Sequence, residues 1–435
     1  MAGFNQESSY QETLDTYSYN QAVLDVPAMS SGTGTIKATD SYSEYAIRGG
    51  FFRVNYNYLD KYLLEVNGRY DGSSKFPKSS RFGFFPSVSA GWQIAQERFM
   101  NSTRHWLDGL KLRASYGVIG NQNINPYTFT PSMSVNNKAT SWIIDDTYVT
   151  SISSLPALVS QNFTWEKVGT INVGLDVNLF NNRLSGVFEW YQRNTNGMLA
   201  PGVQLPAVVG ASAPYQNTAD MRTRGWELSL NWRDQIGKVG YRIGFNLSDY
   251  KSEIIKYDDN AATKLLSSYY PGQTLGEIWG YVVDGYYTVD DFVDTSSWQL
   301  KEGVTSINGY NVRPGDVKFK NLRDDDTSTN VITSGDNTFD NPGDRKVIGN
   351  TTPRYQYGIN LGMNYAGFDL NVILQGTGKR DYWISNVLTF PMNGDNFVPL
   401  FEGLSDYWMP KDPDNGDWSL SLIHISEPTR LRRIS

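Results

Sequence analysis

Every second residue is large and apolar in WELSLNW and in VGYRIGFNL, the two halves of the stretch from Trp226 to Leu247, and a short polar turn around Gly237 joins them. Trp226, Leu228, Leu230 and Trp232 alternate with Glu227, Ser229, Asn231 and Arg233. Val239, Tyr241, Ile243, Phe245 and Leu247 then alternate with Gly240, Arg242, Gly244, Asn246 and Ser248. Side chains on a strand alternate between faces, so the pattern predicts a β-hairpin with one apolar and one polar face. Four more hairpins share it. Phe52 to Tyr58 returns through Tyr62 to Val66 across a turn at Asp60 and Lys61, and Phe84 to Trp92 returns through Leu110 to Tyr116 after a looser connection from Glu97 to Asp108. Ile171 to Leu179 opposes Leu184 to Trp190 across Asn181, Asn182 and Arg183, a turn-favouring cluster. Tyr355 to Tyr365 turns at Ala366 and Gly367 and returns through Phe368 to Leu374.

These five hairpins predict ten complete strands. Between them lie polar connections over residues 119–165, 194–224 and 250–354, rich in Ser, Thr, Asn, Asp, Gly and Tyr. One end of the hairpins thus carries short turns and the other long loops. That asymmetry belongs to an outer-membrane barrel with short periplasmic turns and long extracellular loops, whereas a soluble sandwich has no reason to keep one end short. The fold class expected is all-β, an antiparallel transmembrane β-barrel segment. Aromatic residues gather near strand ends: Tyr58, Tyr62, Trp232, Tyr365 and Phe368 at one end, Trp190, Trp226 and Tyr355 at the other. Interfacial girdles would look like this, the general preference of aromatics for strands being the alternative for any single one.

Composition narrows the alternatives. No run approaches the ~20 apolar residues of a membrane-spanning helix. A barrel hides its membrane signal among lumen-facing polar residues, so a mean hydropathy of -0.45 with 14% aromatic residues is compatible with one. A net charge of -7 argues against a nucleic-acid partner, which needs clustered Lys and Arg. With no cysteine, disulfides, thiolate catalysis and cysteine metal sites are excluded. The opening MAGFNQESSY is polar from the fourth residue and is no signal peptide. A barrel protein is exported, so Met1 is not expected to be the natural beginning.

Enzyme chemistry finds little support. With His105 in a turn-like connection and His424 near the end, no His-based triad or His-rich metal site can be assembled. No carboxylate pair stands out as a glycosidase pair, and Asp290, Asp291 and Asp294 read as a solvated loop. Asp324 to Asp326 with Asp336, Asp340 and Asp344 could bind calcium, but they miss the alternating-ligand loop pattern and are expected to be ordinary loop acids. No cofactor is expected. Gly32-Thr33-Gly34 and Gly376-Thr377-Gly378-Lys379 lack the spacing and context of phosphate loops, and both read as turns.

Several segments, in order, carry a family resemblance. They are YLLEVNGRYDGSSKFPKSSRFGFFPSVSAGWQIAQE (Tyr62 to Glu97), LKLRASYGVIGNQNI (Leu110 to Ile124), WEKVGTINVGLDVNLFNNRLSGVFEWYQRNTNGML (Trp165 to Leu199) and GWELSLNW (Gly225 to Trp232). PGQTLGEIWGYVVDGYYT (Pro271 to Thr288), PGDVKFKNL (Pro314 to Leu322) and DRKVIGNTTPRYQYGINLGMNY (Asp344 to Tyr365) follow. Together they resemble the barrel of the SusC-like (RagA-like) TonB-dependent transporters of Bacteroidetes, from Ala2 to about Trp418. The resemblance implies a barrel of about 22 strands whose lumen is filled by a plug. It places this chain, as a fragment, in the middle and later part of that barrel, without the plug domain or TonB box.

The domain reading is therefore a partial barrel over residues 1–418 and a tail over 419–435, SLSLIHISEPTRLRRIS, which lacks alternation and ends in a basic patch at Arg430, Arg432 and Arg433. The tail reads as a frameshift or assembly artefact, a basic peripheral tail being the alternative. The resemblance further implies import of an oligosaccharide or a peptide across the bacterial outer membrane, a SusD-like lipoprotein as lid, and energy from the TonB–ExbB–ExbD complex acting through the missing N-terminal region. Trp142, Tyr148, Trp279, Tyr281, Tyr286 and Tyr287 read as exposed loop aromatics that could stack on sugars, although packing within the loops is the role expected of each. The rival functions are a surface-adhesive, glycan-binding β-protein without transport and a glycan-processing enzyme.

Overall fold

The computed structural model describes residues 1–22, 28–133, 135–136, 143–144, 147–148, 152–153, 156–160, 163–203, 205–260, 263–266, 269–294, 296–323 and 330–383. Eleven long strands form one sheet in which spatial order follows chain order. They are β1 (Ala2–Ser18), β2 (Ile36–Tyr58), β3 (Tyr62–Ser73), β4 (Phe82–Gln93), β5 (Leu107–Asn121) and β6 (Glu166–Leu179). β7 (Leu184–Pro201), β8 (Tyr215–Ile236), β9 (Val239–Tyr257), β10 (Arg354–Tyr365) and β11 (Phe368–Lys379) complete it. β1 and β11 end this order and do not pair with each other, so the sheet is not closed among the described residues.

Ten of these strands are the predicted hairpins, and the eleventh is a correction. Ala2–Ser18 pairs antiparallel with Ile36–Tyr58 in continuous register, from Ala2 opposite Phe52 to Ser18 opposite Ile36. Its alternation is diluted, because Phe4, Tyr10 and Leu14 share their face with Gln6, Ser8, Glu12 and Thr16. Several strands also run further into the polar connections than hydrophobicity marked. The connection assigned to 194–224 shrinks to residues 202–214, since β7 continues to Pro201 and β8 begins at Tyr215. Gly376 to Lys379 belongs to β11 and is not a turn. There Gly376 leaves room for the Tyr357 ring, into which a Cβ would intrude.

Register keeps the two faces apart. Tyr56, Leu64 and Ala90 lie side by side across β2, β3 and β4, as do Val54, Val66 and Val88, while Asn55, Glu65 and Ser89 fall on the opposite face. In the other hairpins Ile243, Leu361 and Val372 align, and so do Phe245, Ile359 and Leu374. The short turns fit the right-handed twist of their strands through left-handed residues: Leu59 and Asp60 at one, Ala366 and Gly367 at another. The Asn57 side chain accepts from the Asp60 amide at 3.0 Å, which offsets part of that strain.

The apolar face is open to its surroundings: Val54, Leu64, Val88, Ile243 and Leu370 are all more than a third exposed. In water such a surface is unfavourable; against hydrocarbon it is the expected outer skin of a barrel. Leu230→Arg in the intact membrane protein is therefore expected to cost ~2 to 4 kcal/mol if the residue lies near the bilayer midplane, and Ser229→Arg far less. Equal losses in reversible unfolding from lipid vesicles would reverse the assignment of faces.

Two compact units divide the chain, residues 1–104, 109–175 and 191–221 in one and the remainder in the other. In the first, Phe76, Phe85, Phe163 and Trp165 form a buried aromatic cluster. The Trp165 indole N–H donates to the Arg81 carbonyl at 2.9 Å, the Thr164 hydroxyl donates to the Ser80 carbonyl, and the Thr164 backbone exchanges hydrogen bonds with the Asn217 side chain, so the segment before β6 is tied down. At a short-turn end of this unit, Glu97 accepts from Lys61 Nζ (3.1 Å), the Tyr62 hydroxyl (2.8 Å) and Trp92 Nε1 (3.2 Å), joining the β2–β3 turn to the connection after β4. The second unit carries residues 258–353, the longest connection, and its packing is described with the candidate site.

Candidate functional site

Residues 258–353 form no simple surface loop. Short strands pair within them: Glu277–Tyr281 with Arg345–Asn350, Val283–Tyr286 with Val317–Phe319, and Ser306–Ile307 with Val331–Ile332. Tyr287, Phe292 and Val312 are buried together, with Trp298, Leu300, Val304 and Ile307 packed around them. A connection this long holds a single shape only by burying apolar area of its own, and this cluster does so.

Four of the six aromatic candidates fall in this lobe, where packing governs them. Tyr287 is wholly buried and its hydroxyl donates to the Thr305 carbonyl at 2.5 Å, which corrects the expectation of an exposed ring. Burial, followed by the charges of Asp291 and Asp316, raises its hydroxyl above the ordinary tyrosine range, so it stays neutral. Half-buried Tyr281 has Phe319 on one side, ring centroids 5.3 Å apart, and the Arg345 guanidinium 6.0 Å from its centroid. Trp279, also half-buried, points its indole N–H at the Tyr270 hydroxyl (2.9 Å) and Glu277 Oε1 (2.8 Å). Tyr286 is half-buried in a short strand opposite Val317. Trp142 lies outside the described residues. Tyr148 lies in the two-residue strand Thr147–Tyr148, opposite Ile143, and its side chain is not among those described.

Polar side chains complete the lobe. Tyr270, almost fully buried, hydrogen-bonds Glu277, and burial together with that carboxylate raises its hydroxyl well above the ordinary range. Asp344 is fully buried, and its two oxygens accept from the backbone N–H groups of Leu322 (2.8 Å), Arg323 (3.3 Å) and Thr333 (2.8 Å). A buried carboxylate needs such partners, and here they pin two segments distant in sequence. Of the other members of the calcium candidate, Asp336 and Asp340 are exposed, and Asp324 to Asp326 lie outside the described residues. Asp291 is held below the ordinary carboxylate range: burial alone would raise it, but Lys318 at 2.8 Å and the Thr288 amide outweigh that. Asp294 lies far below that range because Ser296 and Ser297 donate to it from side chains and backbone. Asp290 and Asp294 are exposed, whereas Asp291 is a structural link inside what was read as a solvated loop.

Where β10 begins beside the middle of β9, Arg354 grips Asp249 through Nε and Nη2, both at 2.5 Å, while the Tyr355 amide adds a third, longer bond. Asp249 is 7% exposed. Sequence reasoning missed this clamp, because Asp249 stands in the middle of β9 and nothing in the chain marks it as the partner of the base that opens β10.

The polar face of the sheet offers recesses as well. One of about 440 Å³ in the first unit is lined by Asn55, Glu65, Ser89, Lys111, Arg113 and Asn172. Another in the second unit, about 650 Å³, presents Asn178, Asn231, Arg233, Arg242, Asn360 and Asn371. Both recesses are rich in amides and cations, which suit hydroxylated or carboxylate-bearing solutes, and the first also holds Glu65 and Ser89. His105, in the connection before β5, joins neither recess.

Comparison with known proteins agrees with this architecture. Residues 2–408 match the family model described as TonB dependent receptor-like, beta-barrel. TonB-dependent receptor P3 of Formosa agariphila is 30% identical over 367 residues, covering 80% of this chain and 33% of that protein. TonB-dependent receptor SusC of Bacteroides thetaiotaomicron is 35% identical over 209 residues, covering 47% of this chain and 20% of that one. The chain thus spans a third or less of either relative. Among solved structures, the RagAB peptide transporter shares the fold with a TM-score of 0.65 at 23% identity, covering 86% of this chain and 38% of that one.

Proposed function

Because the chain belongs to the TonB-dependent receptor-like β-barrel family, we propose that it supplies wall strands and surface loops of a SusC-type outer-membrane importer for an oligosaccharide or a peptide. It acts as a transport component and not as a catalyst. The observation that carries this reading is the pairing of a two-faced wall with a lobe over residues 258–353 that holds its own core. A lobe of that kind serves as the outer part of a substrate chamber and as the seat for a SusD-like lipoprotein lid. The amide- and cation-lined recess of the wall in the same unit lines part of the solute path. Energy comes from the TonB–ExbB–ExbD complex, acting through parts of the importer outside this chain.

The lobe is expected to lie outside the cell. Tyr310 is 75% exposed on it and marks a place for an epitope tag. Antibody is expected to reach a tag there on intact cells, and access only after the outer membrane is broken would reverse the topology. Uptake of labelled oligosaccharides and labelled peptides by cells carrying the intact importer then separates the two substrate classes, and uptake of neither would count against transport.

A further inference from the structure

On the apolar face, midway along β2, one cation interrupts the pattern. Arg48 is exposed and stands directly opposite Gly72 of β3, which in turn stands opposite Phe82 of β4. The glycine between them is what lets the two side chains meet. A Cβ on Gly72 would overlap the Phe82 ring, so that ring lies across the glycine. Tyr70 stacks on Phe82 with centroids 5.3 Å apart and planes 12° from parallel. The Arg48 guanidinium lies 5.2 Å from the Phe82 centroid. No carboxylate among the described residues forms an ion pair with it.

Its height on the strand is informative. Ten residues separate Arg48 from Tyr58, which stacks on Tyr62 beside the short turn. At ~3.3 Å per residue and a tilt near 45°, that is a rise of roughly 23 Å, close to the ~25 Å apolar band of an outer-membrane barrel. Between these limits the same face of β2 carries Gly50, Phe52, Val54 and Tyr56, and beyond Arg48 it carries Ala46, Glu44, Tyr42 and Asp40, where acids first enter it. Arg48 therefore stands where hydrocarbon gives way to headgroups. A guanidinium held against aromatic rings keeps its in-plane N–H fork free, the geometry that grips a phosphate with two parallel hydrogen bonds.

We propose that Arg48, held by Phe82, Tyr70 and Gly72, is a binding site for the phosphate of an outer-leaflet lipid. The site rests on the outward facing of even-numbered residues of β2, and an independent readout checks that facing. In the intact membrane protein, a nitroxide placed at Val54 is expected to report contact with lipid; contact with water would overturn the facing and the site together. Native mass spectrometry of detergent-solubilised protein, titrated with a phosphorylated glycolipid and with its dephosphorylated counterpart, reads the site itself. The phosphorylated lipid is expected to be retained roughly tenfold more, the order set by one charge-assisted contact. Arg48→Gln abolishes the difference, Arg48→Lys keeps part of it, and Gly72→Ala, which displaces Phe82, reduces it while leaving the charge in place. Excess inorganic phosphate is expected not to displace the lipid. Full displacement would assign the site to free phosphate, and equal retention by the wild type and Arg48→Gln, with Val54 in lipid, would remove the site while leaving the barrel reading intact.

Discussion

Expressed by itself, the 435-residue chain is expected to aggregate or be degraded without forming a heat-modifiable, protease-resistant barrel. Among the described residues β1 and β11 each have one unpaired edge. A strand edge of ~10 residues presents about five N–H and five C=O groups with no partner. Each such group costs several kcal/mol in hydrocarbon, so two edges amount to on the order of tens of kcal/mol, beyond the ~5 to 15 kcal/mol of a typical domain. Folding into detergent or lipid, followed by electrophoresis with and without heating, makes the check. A band that shifts on heating and resists protease would show that these strands close on themselves.

Arg354→Ala is expected to loosen the lobe at its root. Asp249 is almost completely enclosed and its main partner is the two-pronged guanidinium, so removing that partner leaves a buried carboxylate short of donors. Breaking a buried pair from one side costs ~3 to 5 kcal/mol; because the Arg354 side chain is itself 34% exposed, the lower end applies here. If residues 258–353 open locally before cleavage, about 3 kcal/mol corresponds to a roughly hundredfold faster cut within them. Limited proteolysis of the intact membrane protein with and without Arg354→Ala measures this. Arg354→Lys, which keeps the charge but loses the fork, should fall between the two, and an unchanged rate for Arg354→Ala would show that the pair does not hold the lobe.

The wall was legible in the chain wherever one face met lipid, because only there does selection for apolar side chains act on every second residue. Leu230 and Ser229, or Ile243 and Arg242, declare their faces at once. The alternation fades where a strand rises past the apolar band, as in Ala2–Ser18 or in the stretch from Asn194 to Pro201, since water on both sides imposes no period. Ala2–Ser18 is held by continuous backbone pairing with β2, and the stretch from Asn194 to Pro201 by bonds to side chains, such as the Gly197 amide to Asp220 and the Leu199 amide to Glu166. The candidate aromatics were harder to read for a related reason. An exposed ring and a ring at the centre of a loop core have the same composition nearby, and only the fold distinguishes Tyr287, which is buried, from Tyr310, which is not. Asp344 makes the same point for acids: spacing alone marks it as one loop aspartate among several, and only the fold shows its oxygens taken by amides of its own lobe.

β2 runs for 23 residues, about twice what its apolar band requires. With ~3.3 Å per residue and a tilt near 45°, more than half of its rise stands beyond Arg48, on the side away from the short turns. Its partner β1 follows it in unbroken register along that extension. The two strands therefore act as a mast. Whatever meets the loops at their tip does so some 30 Å from the hydrocarbon, clear of the crowded headgroup layer. A pull or push delivered there is carried down to the bilayer by hydrogen-bonded ribbon rather than by slack chain.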